Sequence, residues 1–250
     1  MNDKKPRGIT FQPGIYDKVL ELIPKDRAGR ILDVGAGEGY LCRMLKDIGY
    51  RVEACDFQQE NFKCPDVPFT KANLNSRIPF EDNSFDCVIS VEVIEHIENH
   101  FQFVREMVRV AKPGGLVIIT TPNILSLPSR LHFFLYGYTD CSPFPLDPSR
   151  KEYFMLHINP IGLSELIFYY EHCGAGLAQL TTNRIRKSAW IPMIILYPLL
   201  SLIIRLKFLR KKHADLHNLY RRHIHWMLHP ANLMGRITIA VGKKINGEKD

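Results

Sequence analysis

An α/β fold built on a doubly wound parallel sheet is predicted by three observations. Short apolar, strand-like runs alternate with segments whose apolar residues recur at helical spacing. The first strand ends in an acid and leads into three glycines at alternate positions, Ile31-Leu32-Asp33-Val34-Gly35-Ala36-Gly37-Glu38-Gly39. Finally, Asp33, Asp56, Asn73 and Ser90 fall at the carboxyl ends of successive strands, where sheets of this kind bind ligands.

The elements follow in order. Ile15, Val19, Leu20 and Ile23 predict a leading helix before a strand at 30–34. Leu41, Leu45 and Ile48 form a helical stripe that Gly49 stops. A second strand covers 51–55, and a short one near 68–72 precedes Asn73. Residues 85–90 read as a buried strand followed by a helix from about 93 to 111. The turn Lys112-Pro113-Gly114-Gly115 feeds a strand at 116–121. Residues 122–160 are rich in proline and aromatics, and so long a connection predicts a lid or binding segment. A helix at 161–172 and strands at 177–183 and 236–242 complete the pattern.

The 250 residues, 46% apolar and 24% charged, suit one large domain. We divide them into a core, 1–183 completed by 236–250, and an insertion at 184–235. The six cysteines form no CxxC pair, so reduced, mostly buried thiols are expected rather than a zinc site. The polar start, Met1-Asn2-Asp3-Lys4-Lys5-Pro6-Arg7, lacks the apolar stretch of a secretory signal, and a cytoplasmic location is expected. Charge is uneven. Residues 184–250 hold 14 Lys/Arg against 3 Asp/Glu, whereas the chain as a whole carries only +7. A nucleic-acid binder would spread its basic surface over the fold, so nucleic acid is not the expected partner.

Alternating glycines turn the backbone sharply and let a ligand approach it closely. Asp33 suits a cationic ammonium, and the N–H groups of the turn suit a carboxylate. A dinucleotide fingerprint would need glycine where Tyr40 stands, which argues against a nicotinamide-dependent oxidoreductase.

Four blocks together resemble class I S-adenosylmethionine (SAM)-dependent methyltransferases. They are Leu32 to Gly39, Ile78 to Asp86 (Ile-Pro-Phe-Glu-Asp-Asn-Ser-Phe-Asp), Glu92-Val93-Ile94-Glu95-His96, and Arg109 to Gly115 (Arg-Val-Ala-Lys-Pro-Gly-Gly). The resemblance implies a Rossmann-like sheet of seven strands, mostly parallel, with the last strand antiparallel. It implies SAM as cofactor. Asp33, Gly35, Gly37 and Gly39 would surround the methionine end, and Asp56 would accept the ribose hydroxyls. Phe57 would lie against adenine, Asn73 and Leu74 would meet its edge, and Ser90 would line the pocket. The family usually has Asp where Asn73 stands, and Asn73 also suits a loop cap.

Methyl transfer needs mainly placement of an acceptor atom against an activated methyl group, plus removal of a proton from an oxygen or nitrogen acceptor. Glu92, Glu95 and His96, at i, i+3 and i+4, are expected on one helix face beyond the fourth strand. They are the candidate catalytic residues, with His96 as base or as orienting group. Similar clusters in ubiquinone-pathway O-methyltransferases and small-RNA 2′-O-methyltransferases bind a divalent metal. Glu92, Glu95 and His96, with His157 as a further ligand, are the candidate metal site; a metal-free salt bridge is the alternative.

Residues 189–204 carry no charge, contain Pro192 and Pro198, and are flanked by cations on both sides. The run is short for a spanning helix and is expected to be broken by its prolines. We read 189–212 as a monotopic element on the cytoplasmic membrane face, against a buried hairpin or dimer contact. The histidine-rich stretch beyond it, from His213 to His229, reads as a basic helix facing phosphates. The expected function is methylation of a small or lipid-borne acceptor, such as a quinone precursor or lipid-linked saccharide. RNA 2′-O-methylation and a non-catalytic SAM-binding assembly factor are the alternatives. Oligomeric state is not legible.

Overall fold

Residue-by-residue alternation of apolar side chains places one core on each side of a central sheet. The computed structural model describes residues 14–25, 29–141, 149, 156–209 and 217–247. Helix α1 (Ile15–Leu22) leads into β1 (Arg30–Val34), α2 (Tyr40–Asp47), β2 (Arg51–Asp56), β3 (Phe69–Lys71) and β4 (Phe85–Val91). Then come α3 (His100–Val110), β5 (Ala111–Pro122), α4 (Leu127–Tyr136), α5 (Leu163–His172) and β6 (Ala175–Thr181). Helices α6 (Trp190–Leu209), α7 (His217–Met227) and α8 (Pro230–Met234) precede β7 (Ile237–Lys244). The seven strands take the order β3-β2-β1-β4-β5-β7-β6. Strand β7 pairs antiparallel with both β5 and β6, as expected of the last strand, and the pairings among β1 to β5 are parallel.

Leu32, Val34, Val88, Val117 and Ile119 point to one side and pack with Phe103 and Met107 of α3 and Tyr170 of α5. Ile31, Ala54, Cys87, Ile89 and Ile118 point to the other and pack with α1 and α2. Tyr170, fully buried, donates its hydroxyl to the Val117 carbonyl at 3.0 Å. A Cβ on Gly242 would come within 2.7 Å of that ring, so glycine is what admits it. Among the described residues the cysteines are free thiols.

Three expectations are corrected. The helix expected from 93 starts at His100, where Asn99 Oδ1 caps it by accepting from the Gln102 N–H at 3.0 Å. Ahead of it, Glu92 takes φ 55° and Ile94–His96 forms a single 3-10 turn, so Glu92, Glu95 and His96 do not share a helix face. Within 122–160, α4 forms because Ser126 caps it, Pro128 occupies its first turn and Gly137 closes it at φ 77°. Finally, 190–209 is one continuous helix. Pro192 falls in the first turn, where no hydrogen bond is lost, and Pro198 removes only one. Residues 1–13, 26–28, 142–148, 150–155, 210–216 (with Lys211, Lys212 and His213) and 248–250 lie outside the described residues.

Candidate active site

The site is built at the carboxyl ends of β1, β2, β4 and β5. Beyond β1 the backbone turns through Gly35 (φ 80°), Gly37 (φ 53°) and Gly39 (φ 83°). Each glycine has its own reason. A Cβ on Gly35 would sit 2.4 Å from Val93 Cγ2, and one on Gly39 would sit 2.8 Å from the Phe62 ring. A Cβ on Gly37 would meet nothing within 4 Å, so that stretch of backbone stays open to close approach. The Gly37 N–H donates to Asp56 Oδ2 at 2.8 Å, joining the loop to the tip of β2, while Asp56 Oδ1 accepts from the Gln58 N–H.

Asp33 is buried beneath this loop and accepts from the Cys42 thiol at 3.1 Å. Burial pushes its carboxyl up to about 7. A buried acid without a cation beside it is held near neutrality, and an incoming ammonium would ionise it. Tyr16 of α1 was not singled out from the sequence. Burial raises its phenol, and the charges of Asp33 and Glu92 raise it further. Lone tyrosines on amphipathic helices carry no sequence signal that could have revealed it.

On the other side of the pocket, Phe57 is exposed, with Lys71 Nζ 5.9 Å from its ring centroid. Asn73 Oδ1 accepts from the Asn75 N–H at 3.0 Å, the loop-cap role its residue type also allows. The Leu74 side chain lies in the core, so its backbone is what faces the loop. Ser90 is fully buried and its hydroxyl has no partner among the described residues.

Beyond β4 the chemistry-bearing groups converge. Thr120 Oγ1 donates to Glu92 Oε1 at 3.0 Å and accepts from the Glu92 N–H at 3.0 Å. Burial pushes Glu92 up to about 7 despite Thr120 and the charge of Arg236. Glu95 is fully buried, and Thr121 Oγ1 donates to its Oε2 at 3.1 Å. Its Oε1 has no hydrogen-bond partner among the described residues and lies 4.0 Å from His157 Nε2. Burial, then the charge of Glu92, raises its pKa. His96 Nδ1 lies 2.9 Å from the Leu156 carbonyl and His157 Nδ1 lies 2.6 Å from the Cys141 carbonyl. Carbonyls can only accept, so both rings carry a proton on Nδ1, and in its neutral form such a ring leaves an Nε2 lone pair. Burial, then His157, lowers the pKa of His96 and keeps it neutral.

Ligand atoms of Glu95, His96 and His157 all lie within 4.8 Å of one another. Glu92 is outside this trio, held by Thr120 instead. The trio fits a divalent cation on two counts. Glu95 Oε1 is an orphaned buried acceptor, and each histidine has its remote nitrogen tied to a carbonyl, as metal-bound imidazoles do. Thr120 and Thr121 were also missed from the sequence, where they read as strand residues.

Known proteins agree with this architecture. The profile of a family described as "Methyltransferase domain" matches residues 32–119. A Mycolicibacterium smegmatis protein named "Probable S-adenosylmethionine-dependent methyltransferase" is 32% identical over 181 residues, covering 66% of this chain and 64% of its own length. A ubiquinone biosynthesis O-methyltransferase of Rickettsia conorii is 40% identical over 101 residues, covering 37% and 35%. The chain thus spans under two thirds of the length of these relatives. The crystal structure of a SAM-dependent methyltransferase from Archaeoglobus fulgidus superposes with a TM-score of 0.55 at 18% identity, covering 92% of this chain and 93% of the other.

Proposed function

The chain carries a class I SAM-dependent methyltransferase domain, and on that footing we propose that it methylates an oxygen of a lipid-borne acceptor at a membrane surface. The observation that carries the chemistry is the meeting of Glu92 with the Glu95–His96–His157 trio beside the glycine loop.

SAM, when bound, supplies a methyl group already activated by its sulfonium. Asp33 would bind the ammonium and Asp56 the ribose, while the N–H groups of Gly35, Ala36, Gly37 and Gly39 donate within the protein and hold the loop in shape. The buried walls of the site exclude water and aim the acceptor oxygen at the methyl carbon, at about 3–3.5 Å. The C–O bond forms as the S–C bond breaks, and the acceptor's proton passes to Glu92, whose pKa of about 7 matches a base at neutral pH. A divalent metal on Glu95, His96 and His157 would supply Lewis acidity toward the acceptor oxygen. In a metal-free site, the neutral His96 Nε2 takes the proton instead, a reading favoured by its lowered pKa.

The lipid-borne acceptor is supported by α6, whose apolar side chains remain exposed. RNA would prefer polar, cationic surface to so much hydrocarbon. Methyl-labelled SAM incubated with the protein and a cell extract should place label in the organic phase; label confined to RNA overturns the acceptor class. Glu92→Gln should lower kcat about a hundredfold or more while SAM affinity stays near wild type. Unchanged kcat removes Glu92 as base. Activity lost to a chelator and restored by a divalent metal supports the metal; chelator resistance supports His96.

A further inference from the structure

Two helices far apart in sequence hold apolar side chains out of the fold. The C-terminal half of α4 exposes Leu131, Phe133, Phe134, Leu135 and Tyr136, with Phe134 82% accessible. These residues surround the helix on all sides. On α6, Ile191, Ile194, Ile195, Leu199, Leu202 and Leu206 are exposed, and Ile191 is 72% accessible. Trp190 and Tyr197 extend the exposed arc on one flank, and Leu196 and Ile203 extend it on the other. At 100° per residue the arc covers about 260° of the helix. Among the described side chains, a strip of Met193 and Leu200 seats α6 on Leu127 of α4 and on Leu233 and Met234 of α8, and α7 also lies against the helix.

We propose that α4 and α6 form one platform that sinks into the headgroup and upper acyl region of an anionic lipid leaflet. The idea deepens the membrane-surface reading above, and it adds α4, which stands at the threshold of the active site. Three observations choose a leaflet over a second copy of the chain. A protein face covers one side of a helix, whereas lipid encloses it, and here nearly the whole circumference is apolar. Charge is complementary: no Asp or Glu occurs between Glu171 and Asp215, and Arg184 and Lys187 are exposed just ahead of Trp190. Lastly, the apolar run is bounded by cations at both ends, with Arg205 and Lys207 following it in sequence, which suits a helix held along an anionic surface.

The roots of the platform are tied to the chemistry. Asp140 accepts from Ser129 of α4 and from Arg186, which precedes α6. The carbonyl of the next residue, Cys141, is the one that holds His157. An amphipathic acceptor can therefore keep its tail in the leaflet while its hydroxyl reaches Glu92.

The test is co-sedimentation of the full chain with vesicles of phosphatidylcholine alone or mixed equally with phosphatidylglycerol. Wild type should sediment with the mixed vesicles. The double variants Phe134→Glu/Leu135→Glu and Ile194→Glu/Ile195→Glu should each weaken binding about tenfold or more, with SAM affinity retained as evidence of folding. If the glutamates impair folding, Trp190 in a Trp226→Phe background reports instead, its fluorescence quenched by brominated lipid. Wild-type binding by the α4 variant overturns the two-helix platform. So does a dimer that the α4 variant dissociates and that ignores vesicles. Vesicle binding without methyl transfer would remove the functional reading and leave the platform standing.

Discussion

The sheet and the α4–α6 platform are built from similar residues with opposite outcomes. In the sheet, Ile31, Val88, Ile118 and Ile119 are sealed between helices. On the platform, Ile191, Ile194 and Phe134 face outward. The difference lies in neighbours, not composition. Strands present two faces and receive helices on both, so every apolar residue finds a partner. Among the described side chains, helix α6 has more apolar circumference than its contacts with α4, α7 and α8 cover. An apolar run thus reports how much burial is needed; only the surrounding elements decide whether the protein itself supplies it.

The largest expected effect breaks the comparison directly. Phe103→Ala, deep under the sheet, should destabilise the fold by about 3–5 kcal/mol in urea denaturation. Phe134→Ala should stay within about 0.5 kcal/mol of wild type and yet weaken vesicle binding. Equal destabilisation by both would mean that α4 is packed in solution.

A smaller effect is expected at the glycine loop, where sheet and ligand meet. Gly35→Ala forces a Cβ to 2.4 Å from Val93 at φ 80° and should cost about 1–3 kcal/mol, with SAM affinity falling in calorimetry. Gly37→Ala has open space but the same kind of backbone strain, so any loss of stability should be smaller while SAM still binds less well. A Gly37→Ala variant with wild-type SAM affinity would move the ligand away from this turn.

A further expected effect is a pH dependence. Asp33 has its carboxyl raised to about 7, so between about 4 and 7 the folded state holds a proton that the unfolded chain releases. Its contribution to stability therefore declines as pH rises through that window. Affinity for SAM should move the opposite way, rising by up to about tenfold per pH unit until about 7, because the ammonium needs the ionised acid. Asp33→Asn should flatten that rise. A pH-independent affinity in wild type would remove Asp33 from the ligand.

Much of the fold was legible because it is written in local periodicity and punctuation. Strand β1 matches its expected span, and most other strands and helices fall within two residues of theirs. The exceptions are informative. The start of α3 was misplaced because Val93, Ile94 and Ile97 continue an apolar pattern that looks helical, while the Asn99 cap and the positive φ of Glu92 interrupt it. Helix α4 was missed because aromatics and prolines hide its amphipathic start. The continuity of α6 was missed because a proline's penalty depends on where in the helix it falls.

Within the candidate site, the sequence alone determined the glycine loop, the acids at the strand tips and the Glu-Glu-His cluster, since each sits in one contiguous motif. It also showed that an excess of cations and a long uncharged apolar run fall together after residue 183. Only the tertiary structure decided that His157 joins Glu95 and His96 while Glu92 turns to Thr120, that the charges of Asp33 and Glu92 act on Tyr16, and that α4 joins α6. Those pairings cross tens of residues. Local propensity carries no information about them, because they are set by which strands lie side by side and which helices they bring together.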